Sequence, residues 1–311
     1  MQLQEDYCCS GFSERKPSIF FSMQWWCVFP ASEYGDTLGP LKLAEPEKSF
    51  FSKRNIVQIG SLVINNSYFL SFLKFCPTPS LNCYACPWAN FACPIGSLQH
   101  FMVIERIPYF LIGFFVLVGA LFGRMVCGWF CPAGWFQDLL YKLRTPKIRF
   151  TSKILNKLGF VNLVLVAMLI PYLTKEHWFS KICFMGLLEG GIPLALSDPE
   201  VRMLIGTFFY VKIAITVFFL SLAVFIKRPF CRFFCPLGAV YSLFNRVSLV
   251  RLEVSEGCIQ CNRCQEVCPM DIKIYEDPNS LQCIRCLACA SCAFVEVKVG
   301  GRSRGVTGKS S

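Results

Sequence analysis

Long apolar stretches are the feature that most restricts how this chain can fold. Four of them are long enough, with their flanking turns, to cross a bilayer core, which requires roughly 17–25 helical residues. They are Asn55–Phe75, Ile107–Phe122, Leu158–Leu173 and Met203–Ile226. With 54% hydrophobic and 16% charged residues, the chain of 311 residues is unlike a soluble globular domain. The sequence predicts an α-helical membrane protein with four transmembrane helices, the first of which contains Gln58, Asn65 and Asn66.

Positive charge is distributed unevenly along the chain, whose formal net charge is +11. Lys and Arg concentrate before the first apolar stretch and in Arg124–Lys157 and Lys227–Arg251. Because basic loops stay on the cytoplasmic face, we expect a multi-pass protein of the cytoplasmic membrane with both termini in the cytosol. The loop after the first stretch is expected outside. No basic stripe with interleaved aromatic residues stands on a soluble domain, which argues against nucleic acid as a partner.

An internal repeat supports this topology. Arg124–Gly134 and Arg228–Gly238 share the pattern Arg-x2-Cys-x2-Phe-Cys-Pro-x-Gly. Two apolar stretches separate the copies, so both lie on one membrane face, as in two parallel repeats. We call the Cys-x3-Cys-Pro part of each copy an elbow. An amphipathic helix is expected to follow each elbow along the inner membrane surface, at Trp135–Leu143 and Ala239–Val247.

The densest cysteine pattern lies near the C-terminus. Cys258-x2-Cys261-x2-Cys264-x3-Cys268-Pro269 is followed by Cys283-x2-Cys286-x2-Cys289-x2-Cys292. Three thiolates at such intervals wrap one iron–sulfur cube, and the fourth cysteine is directed at the other cube. Crossed ligation then assigns Cys258, Cys261, Cys264 and Cys292 to cluster one, and Cys283, Cys286, Cys289 and Cys268 to cluster two. A pair of zinc sites is the alternative, although zinc patterns usually have a longer spacer between two Cys-x2-Cys pairs.

This C-terminal segment resembles a bacterial two-cluster ferredoxin domain of α+β structure. Together with the apolar stretches and elbows, the chain from Asn55 to Val299 resembles the NapH/NosR-type membrane polyferredoxins. The resemblance implies 4Fe-4S clusters, oxidation of quinol at the membrane and delivery of electrons to a partner redox protein. The second motif departs from the usual pattern, because two residues separate Cys289 from Cys292 and Ala293 replaces a proline. An alternative is therefore that cluster one has three cysteine ligands instead of four.

The elbows are a second candidate metal site. In each elbow the cysteines are spaced i, i+4, which places both sulfurs on one face of a helical turn, and the proline can open the next helix. If the repeat brings the elbows together, four thiolates converge beside Arg124 and Arg228 and form one further iron–sulfur site. These thiolates belong to Cys127, Cys131, Cys231 and Cys235. Reduced thiols packed as small hydrophobic groups, or a dithiol pair, are the alternatives.

A third group of cysteines follows the first apolar stretch: Cys76, Cys83, Cys86 and Cys93, three of which precede a proline. On the outside of a membrane two disulfides compete with a metal site for these thiols. Cys183, in the equivalent loop of the second half, is expected to be simply buried.

His100, His177 and Lys212 are candidate residues of a quinone site. Oxidation of a quinol releases two protons, which a histidine near the outer interface can accept, with Glu105 as partner. A lysine inside an apolar stretch is costly and marks a functional contact, unless the side chain snorkels to the interface. The alternative for both histidines is a place in the aromatic belt beside Trp178.

Four regions follow from these patterns: an N-terminal segment of unknown role (1–52), a transmembrane domain (53–250), a ferredoxin-like cytosolic domain with two 4Fe-4S clusters (251–299) and a disordered tail (300–311). Cys8, Cys9 and Cys27 in the first region have no ligand spacing, and no signal-peptide pattern is present.

Electron transfer between quinol and a partner redox protein is the function these patterns favour. One alternative is a membrane iron–sulfur reductase that acts in the maturation of a respiratory metalloenzyme, and another is a zinc-stabilised membrane scaffold. The partners expected are membrane lipid, quinone and a redox protein or subunit.

Overall fold

The computed structural model describes residues 53–69, 71–83, 86–149, 155–203, 205–292 and 294–300, and the backbone of 302–304. The N-terminal segment 1–52, which includes Cys8, Cys9 and Cys27, lies outside the described residues, as does the end of the tail after 304.

Helices and the loops between them form the described fold before residue 250. Several begin where the sequence places a proline at the first helical position, as at Pro94, Pro132 and Pro236. The helices are Lys53–Asn65, Pro94–Val103, Tyr109–Phe122, Met125–Trp129, Pro132–Tyr141, Leu155–Thr174, Trp178–Ile182, Gly186–Ser197, Pro199–Met203, Thr207–Phe225, Phe230–Phe234 and Pro236–Leu243. Short 3₁₀ turns lie at Ser71–Leu73 and Phe244–Arg246.

Two of the four predicted spans form helices that are long and apolar enough to cross a membrane, Leu155–Thr174 and Thr207–Phe225. The other two stretches form shorter helices. The first helix ends at Asn65, ten residues before the predicted end at Phe75, and the second, Tyr109–Phe122, has 14 residues. At 1.5 Å per residue a 14-residue helix is about 21 Å long, which is less than the ~30 Å of a bilayer core. The structure therefore differs from four full-length spans.

The polar residues of the first helix explain where it ends. Gln58 donates a hydrogen bond to the Gly128 carbonyl at 3.0 Å, and so joins this helix to the first elbow. Asn65 donates to Ser80 Oγ at 3.4 Å, and Asn66 donates to Asn82 Oδ1 at 3.2 Å. These bonds fold the following loop back along the helix. The loop that was expected on the outer face consequently packs close to the elbows.

The helices after the elbows are part of the core, although the sequence predicts them along the membrane surface. In Pro132–Tyr141 the side chains of Ala133 and Gln137 are buried, and in Pro236–Leu243 those of Leu237 and Tyr241 are buried. The two copies of the repeat face each other, so the first turns of both helices are covered.

The ferredoxin-like part contains a small antiparallel sheet. Strand β1 (Val250–Val254) pairs with β2 (Val295–Val299), with Val250 opposite Val299. Strand β3 (Arg302–Arg304) pairs with the other side of β2. The predicted disordered tail is therefore wrong for these three residues, because Gly300, at φ +58°, allows the chain to turn back as a hairpin. Around the sheet lie a short helix, Arg263–Val267, and a 3₁₀ turn, Ala288–Ser291.

The ferredoxin-like part is fastened to the helical part by buried polar side chains. Asn245 accepts a hydrogen bond from the Arg124 N–H at 2.9 Å and donates to the carbonyls of Ser280 and Cys283, both at 2.8 Å. Arg285 is 1% exposed and donates to the Phe122 carbonyl at 3.3 Å and to Ser248 Oγ. The loop at 280–285 is therefore held against the end of the helical part.

Replacing Asn245 by alanine should loosen this attachment. Asn245→Ala leaves three buried backbone groups without their hydrogen bonds, at a cost of about 3 kcal/mol. Asn279→Ala is the matched control, because the side-chain hydrogen bonds of Asn279 to described residues, at 3.3 and 3.4 Å, both go to Leu252 within the ferredoxin-like part. We expect a lower midpoint of thermal unfolding for Asn245→Ala, measured on the full chain in detergent. A larger decrease for Asn279→Ala would contradict the attachment described here.

Candidate metal centres

Each elbow is built from a helical turn that ends at a proline. Cys127 lies in Met125–Trp129, and Cys131 caps the helix that begins at Pro132. In the second copy Cys231 lies in the π-helical turn Phe230–Phe234, and Cys235 caps the helix that begins at Pro236. The elbow cysteines are therefore placed by equivalent local geometry in the two copies.

The structure brings the four elbow thiols together in the core, each no more than 7% exposed. Burial raises the pKa of Cys127 to about 11 and that of Cys231 to about 12, and the other elbow thiols contribute to both. Burial likewise raises the pKa values of Cys131 and Cys235. Thiolates are unstable at such a place without a bound cation. The site therefore favours either four neutral thiols or a metal centre.

The sulfurs receive hydrogen bonds from the surrounding chain. Gln137 donates to Cys231 Sγ at 3.0 Å, and the Gly238 N–H donates to Cys235 Sγ at 3.3 Å. The backbone N–H of Leu81 hydrogen-bonds to the Cys131 thiol. Hydrogen bonds to sulfur stabilise charge on a thiolate and tune the potential of an iron–sulfur cluster.

Two buried arginines cross between the elbows. Arg124, from the first copy, donates to the Cys231 carbonyl at 2.6 Å, and Arg228, from the second, donates to the Cys127 carbonyl at 3.2 Å. Arg228 also forms an ion pair with Asp138 at 2.5 Å. Arg124 forms no ion pair with an acidic side chain of the described residues. The elbow site therefore contains a buried positive charge that an anion would balance.

Two unsatisfied polar groups test whether an iron–sulfur cluster fits here. Tyr241 is completely buried, and its hydroxyl has no hydrogen-bond partner among the described residues. The thiols of Cys127 and Cys131 lie close enough to raise its pKa beyond the effect of burial. Nε of Arg124 is also buried without a partner, and this guanidinium interacts with the Cys127 thiol. A buried unpaired donor is costly, and sulfur ligands of a cluster accept hydrogen bonds. The elbow residues therefore fit an anionic cluster.

The sequence patterns missed Gln137 and Tyr241. Each stands three residues after the glycine of its copy of the repeat, so the two positions are equivalent. Gln137 contacts a sulfur of the second elbow, and Tyr241 lies beside the thiols of the first. The repeat continues past the glycines at Leu139/Leu243 and Lys142/Arg246, but positions 137 and 241 carry different residue types and so gave no signal.

The ferredoxin-type motifs place their cysteines in two groups. Burial and the thiols of Cys286 and Cys283 raise the pKa of Cys268 to about 12, so Cys268 lies with the second motif. Cys264 interacts with Cys258 and Cys261 of its own motif. Cys292 packs against the apolar cluster beneath the sheet, as do Cys264, Cys283 and Cys289. The position of Cys268 agrees with crossed ligation, whereas the cluster to which Cys292 contributes stays a prediction.

The second ferredoxin-type motif packs directly on the first elbow. A Cβ added at Gly128 would lie 2.5 Å from the Ile284 carbonyl oxygen and 3.6 Å from Cys286 Cα. Trp129 donates a hydrogen bond to the Arg285 carbonyl at 3.2 Å. Glycine at position 128 thus allows the two cysteine groups to come close.

The loop cysteines are only partly brought together. Cys83 and Cys93 lie near each other and near Cys183, which the sequence left as a separate buried residue. Cys86 is buried, and its thiol interacts instead with Glu189 and Lys74. Cys93 and Cys183 are free thiols. The predicted set of Cys76, Cys83, Cys86 and Cys93 therefore does not form one group in the structure.

Two of the three candidate quinone residues, His177 and Lys212, line one cavity, and His100 contacts His177. His100 and His177 stack with ring centroids 5.8 Å apart. His177 and Lys212 both line a cavity of about 470 Å³, together with Ser180 and Phe208. Burial, followed by His100 and Lys181, lowers the pKa of His177.

Glu105, the predicted partner of the histidines, instead forms an ion pair with Lys175.

Among the described residues, no three Cys, His, Asp or Glu side chains lie close enough together to hold a single metal ion.

Comparison with known proteins places both elbows in an iron–sulfur domain. Residues 107–151 and 208–254 match the family model described as a 4Fe-4S binding domain. No solved structure matches the chain significantly. The matched segments include all four elbow cysteines, so the chain belongs to the class of 4Fe-4S proteins.

Similar proteins indicate the type of 4Fe-4S protein to which this chain belongs. The chain is 31% identical over 203 residues to the uncharacterized protein MJ0750 of Methanocaldococcus jannaschii, an alignment that covers 62% of this chain and 79% of that protein. It is 28% identical over 160 residues to the methylamine utilization ferredoxin-type protein MauN of Methylorubrum extorquens, covering 51% and 50% of the two chains. It is 28% identical over 162 residues to the ferredoxin-type protein NapH of Haemophilus influenzae, covering 51% of each. The chain belongs to the NapH/NosR-type family of ferredoxin-like electron-transport proteins.

The glycine of each elbow should be sensitive to substitution. A Cβ at Gly134 would lie 2.8 Å from Nη1 of Arg228, and one at Gly238 would lie 2.7 Å from Nη2 of Arg124. Because both guanidinium groups are buried, Gly134→Ala and Gly238→Ala should each destabilise the fold by about 1–3 kcal/mol. Thermal unfolding of the full chain measures this effect.

Gly60→Ala is the matched control. Nothing lies within 4 Å of a Cβ at this helical position, so the variant should be at least as stable as the wild type. Equal unfolding midpoints for Gly238→Ala and Gly60→Ala would contradict the close contact between Gly238 and Arg124.

Proposed function

We propose that this protein is an integral membrane electron carrier that transfers electrons between quinol and a partner redox protein. The observation that carries the proposal is the elbow site, where four buried thiols surround crossing arginines and unsatisfied donors. Such a site suits an anionic iron–sulfur cluster held between the two halves of the fold.

Apolar exposure supports membrane integration. On the helix Thr207–Phe225 the side chains of Phe208, Val217 and Phe218 are more than half exposed. On Tyr109–Phe122, Phe110 and Leu117 are similarly exposed. Apolar patches of this kind are unfavourable in water and are covered by lipid tails in a membrane.

We assign the cysteines to three clusters. Cys127, Cys131, Cys231 and Cys235 would hold one at the elbows, and the two ferredoxin-type motifs would hold the other two by crossed ligation. Bound 4Fe-4S clusters supply one-electron carriers whose potentials depend on hydrogen bonds to sulfur and on burial. The chain's own contribution is to place Gln137, Tyr241 and the arginines around these sulfurs.

The cavity at His177 and Lys212 is the proposed quinol site. Its mixed lining of Phe208, Ser180 and Lys212 offers apolar contact for a ring and donors for its oxygens. Oxidation of one quinol releases two protons and two electrons. His177, whose pKa is lowered by burial, and His100, which stacks on it, can each accept one of the two protons. Clusters held by the cysteines would take the two electrons one at a time and pass them to the partner protein.

The partner is proposed to dock near the first ferredoxin-type motif. Cys261 is exposed, and the neighbouring Ile259 has 66% of its surface exposed. An exposed apolar residue beside a cluster ligand offers a short path to a docked redox protein.

Reduction by a quinol analogue tests the function. In the anaerobically purified full chain, a reduced quinol should bleach the visible absorbance of the clusters. His177→Gln and Lys212→Met should slow this reduction at least tenfold, because they remove a proton acceptor and a polar contact in the cavity. Lys273→Met is the matched control, since Lys273 is exposed and pairs with Glu276.

Wild-type clusters that stay oxidised with quinol would contradict quinol oxidation and would favour the role in enzyme maturation. Undiminished rates in both cavity variants would contradict the assignment of this cavity.

A further inference from the structure

Three cysteines from separate parts of the chain meet at a place apart from the elbow thiols. Cys83 lies in the loop after the first helix, Cys93 immediately precedes the helix Pro94–Val103, and Cys183 follows the helix Trp178–Ile182. All three side chains line one cavity of about 180 Å³. Cys93 and Cys183 are buried there.

The three thiols are close enough to act on one another. Cys183 interacts electrostatically with Cys93 and Cys83, and Cys93 interacts with Cys83. A Cβ at Gly186 would lie 3.7 Å from Cys83 Sγ and 3.1 Å from Lys212 Nζ. The absence of a side chain at position 186 therefore leaves open a space between a thiol and an ammonium group.

Two ionisable groups stand near these thiols, Lys212 and Glu189, and burial raises the pKa of Glu189 to about 8. Lys212 lines the same cavity. Glu189 is 8% exposed and accepts a hydrogen bond from the Cys83 N–H at 2.9 Å through Oε2, whereas its Oε1 is buried with no hydrogen-bond partner in the part of the chain that the structure describes. Polar groups enclosed in this way are costly unless a ligand pairs with them. Three thiolates around iron would give Lys212 an anionic partner.

We propose that Cys83, Cys93 and Cys183 bind a further iron–sulfur cluster in this cavity, with Lys212 as a counter-charge. Soft thiolate ligands select iron–sulfur clusters among the common metal centres. The ligand set differs from the loop cysteines expected from the sequence, because Cys183 joins it and Cys76 and Cys86 do not. Three cysteines leave one corner of the cluster to a ligand that is not a cysteine.

The position of this cluster adds a step to the proposed function. Its role as an electron relay rests on that function, whereas its ligand set does not. Lys212 lines both this cavity and the larger cavity assigned to quinol. Tyr241 interacts with Cys93 as well as with the elbow thiols Cys127 and Cys131. The cluster would therefore lie between the quinol cavity and the elbow site and relay one electron at a time.

Metal content of variants tests the ligand set. The full-length protein is purified anaerobically, and iron and acid-labile sulfide are counted per chain. Cys183→Ala should lose about four iron atoms and four sulfides relative to wild type, together with one electron paramagnetic resonance signal. Cys86→Ala is the matched control, because Cys86 is buried in the same loop but does not line the cavity. It should keep the wild-type content.

Unchanged iron and sulfide in Cys183→Ala, or an equal loss in Cys86→Ala, would overturn the proposal. Cys183→Ser, which is nearly isosteric, provides the same test if the alanine variant fails to fold. It should change or remove one resonance signal, and an unchanged spectrum would overturn the proposal. This measurement uses no quinol. It therefore tests the ligand set even where quinol does not reduce the wild-type protein.

Discussion

The burial of two arginine side chains between the repeats is the constraint on which the rest of the structure depends. Arg124 and Arg228 each reach the cysteine backbone of the opposite elbow. Asp138 compensates Arg228, whereas Arg124 has no acidic partner among the described residues. An uncompensated buried charge costs several kcal/mol, and a cluster held by four thiolates supplies negative charge at that place. Gly134 and Gly238 leave space for these guanidinium groups, so the burial of the arginines also explains the two glycines.

The elbows face each other, and the other cysteine groups lie on either side of them. Gly128 and Trp129 contact the second ferredoxin-type motif, whose thiols interact through Cys289 with Cys264 of the first. On the other side of the elbows, Tyr241 lies near both the elbow thiols and Cys93. A chain that keeps such groups in contact through rigid helices and buried hydrogen bonds is suited to carrying electrons, because its carriers need no large motion to exchange charge.

Local spacing in the sequence was sufficient to predict several of these features. The i, i+4 cysteines, the prolines that open helices and the facing of the two repeats follow from short-range geometry and from duplication of one pattern. The number of full-length spans could not be predicted in this way. Asn65 and Asn66 form hydrogen bonds with the loop at Ser80 and Asn82, and this contact between distant segments ends the first helix early. Cys183 is buried as expected, but its position beside Cys83 and Cys93 could not be predicted, because those residues are distant from it in sequence.

Counting iron in two single variants tests the central claim most directly. Cys127 and Cys231 belong to different copies of the repeat, yet a shared cluster makes them equivalent. Cys127→Ala and Cys231→Ala should therefore each lose about four iron atoms and four labile sulfides from the anaerobic protein. Unequal losses, or full iron content in either variant, would show that the elbows do not hold one common cluster.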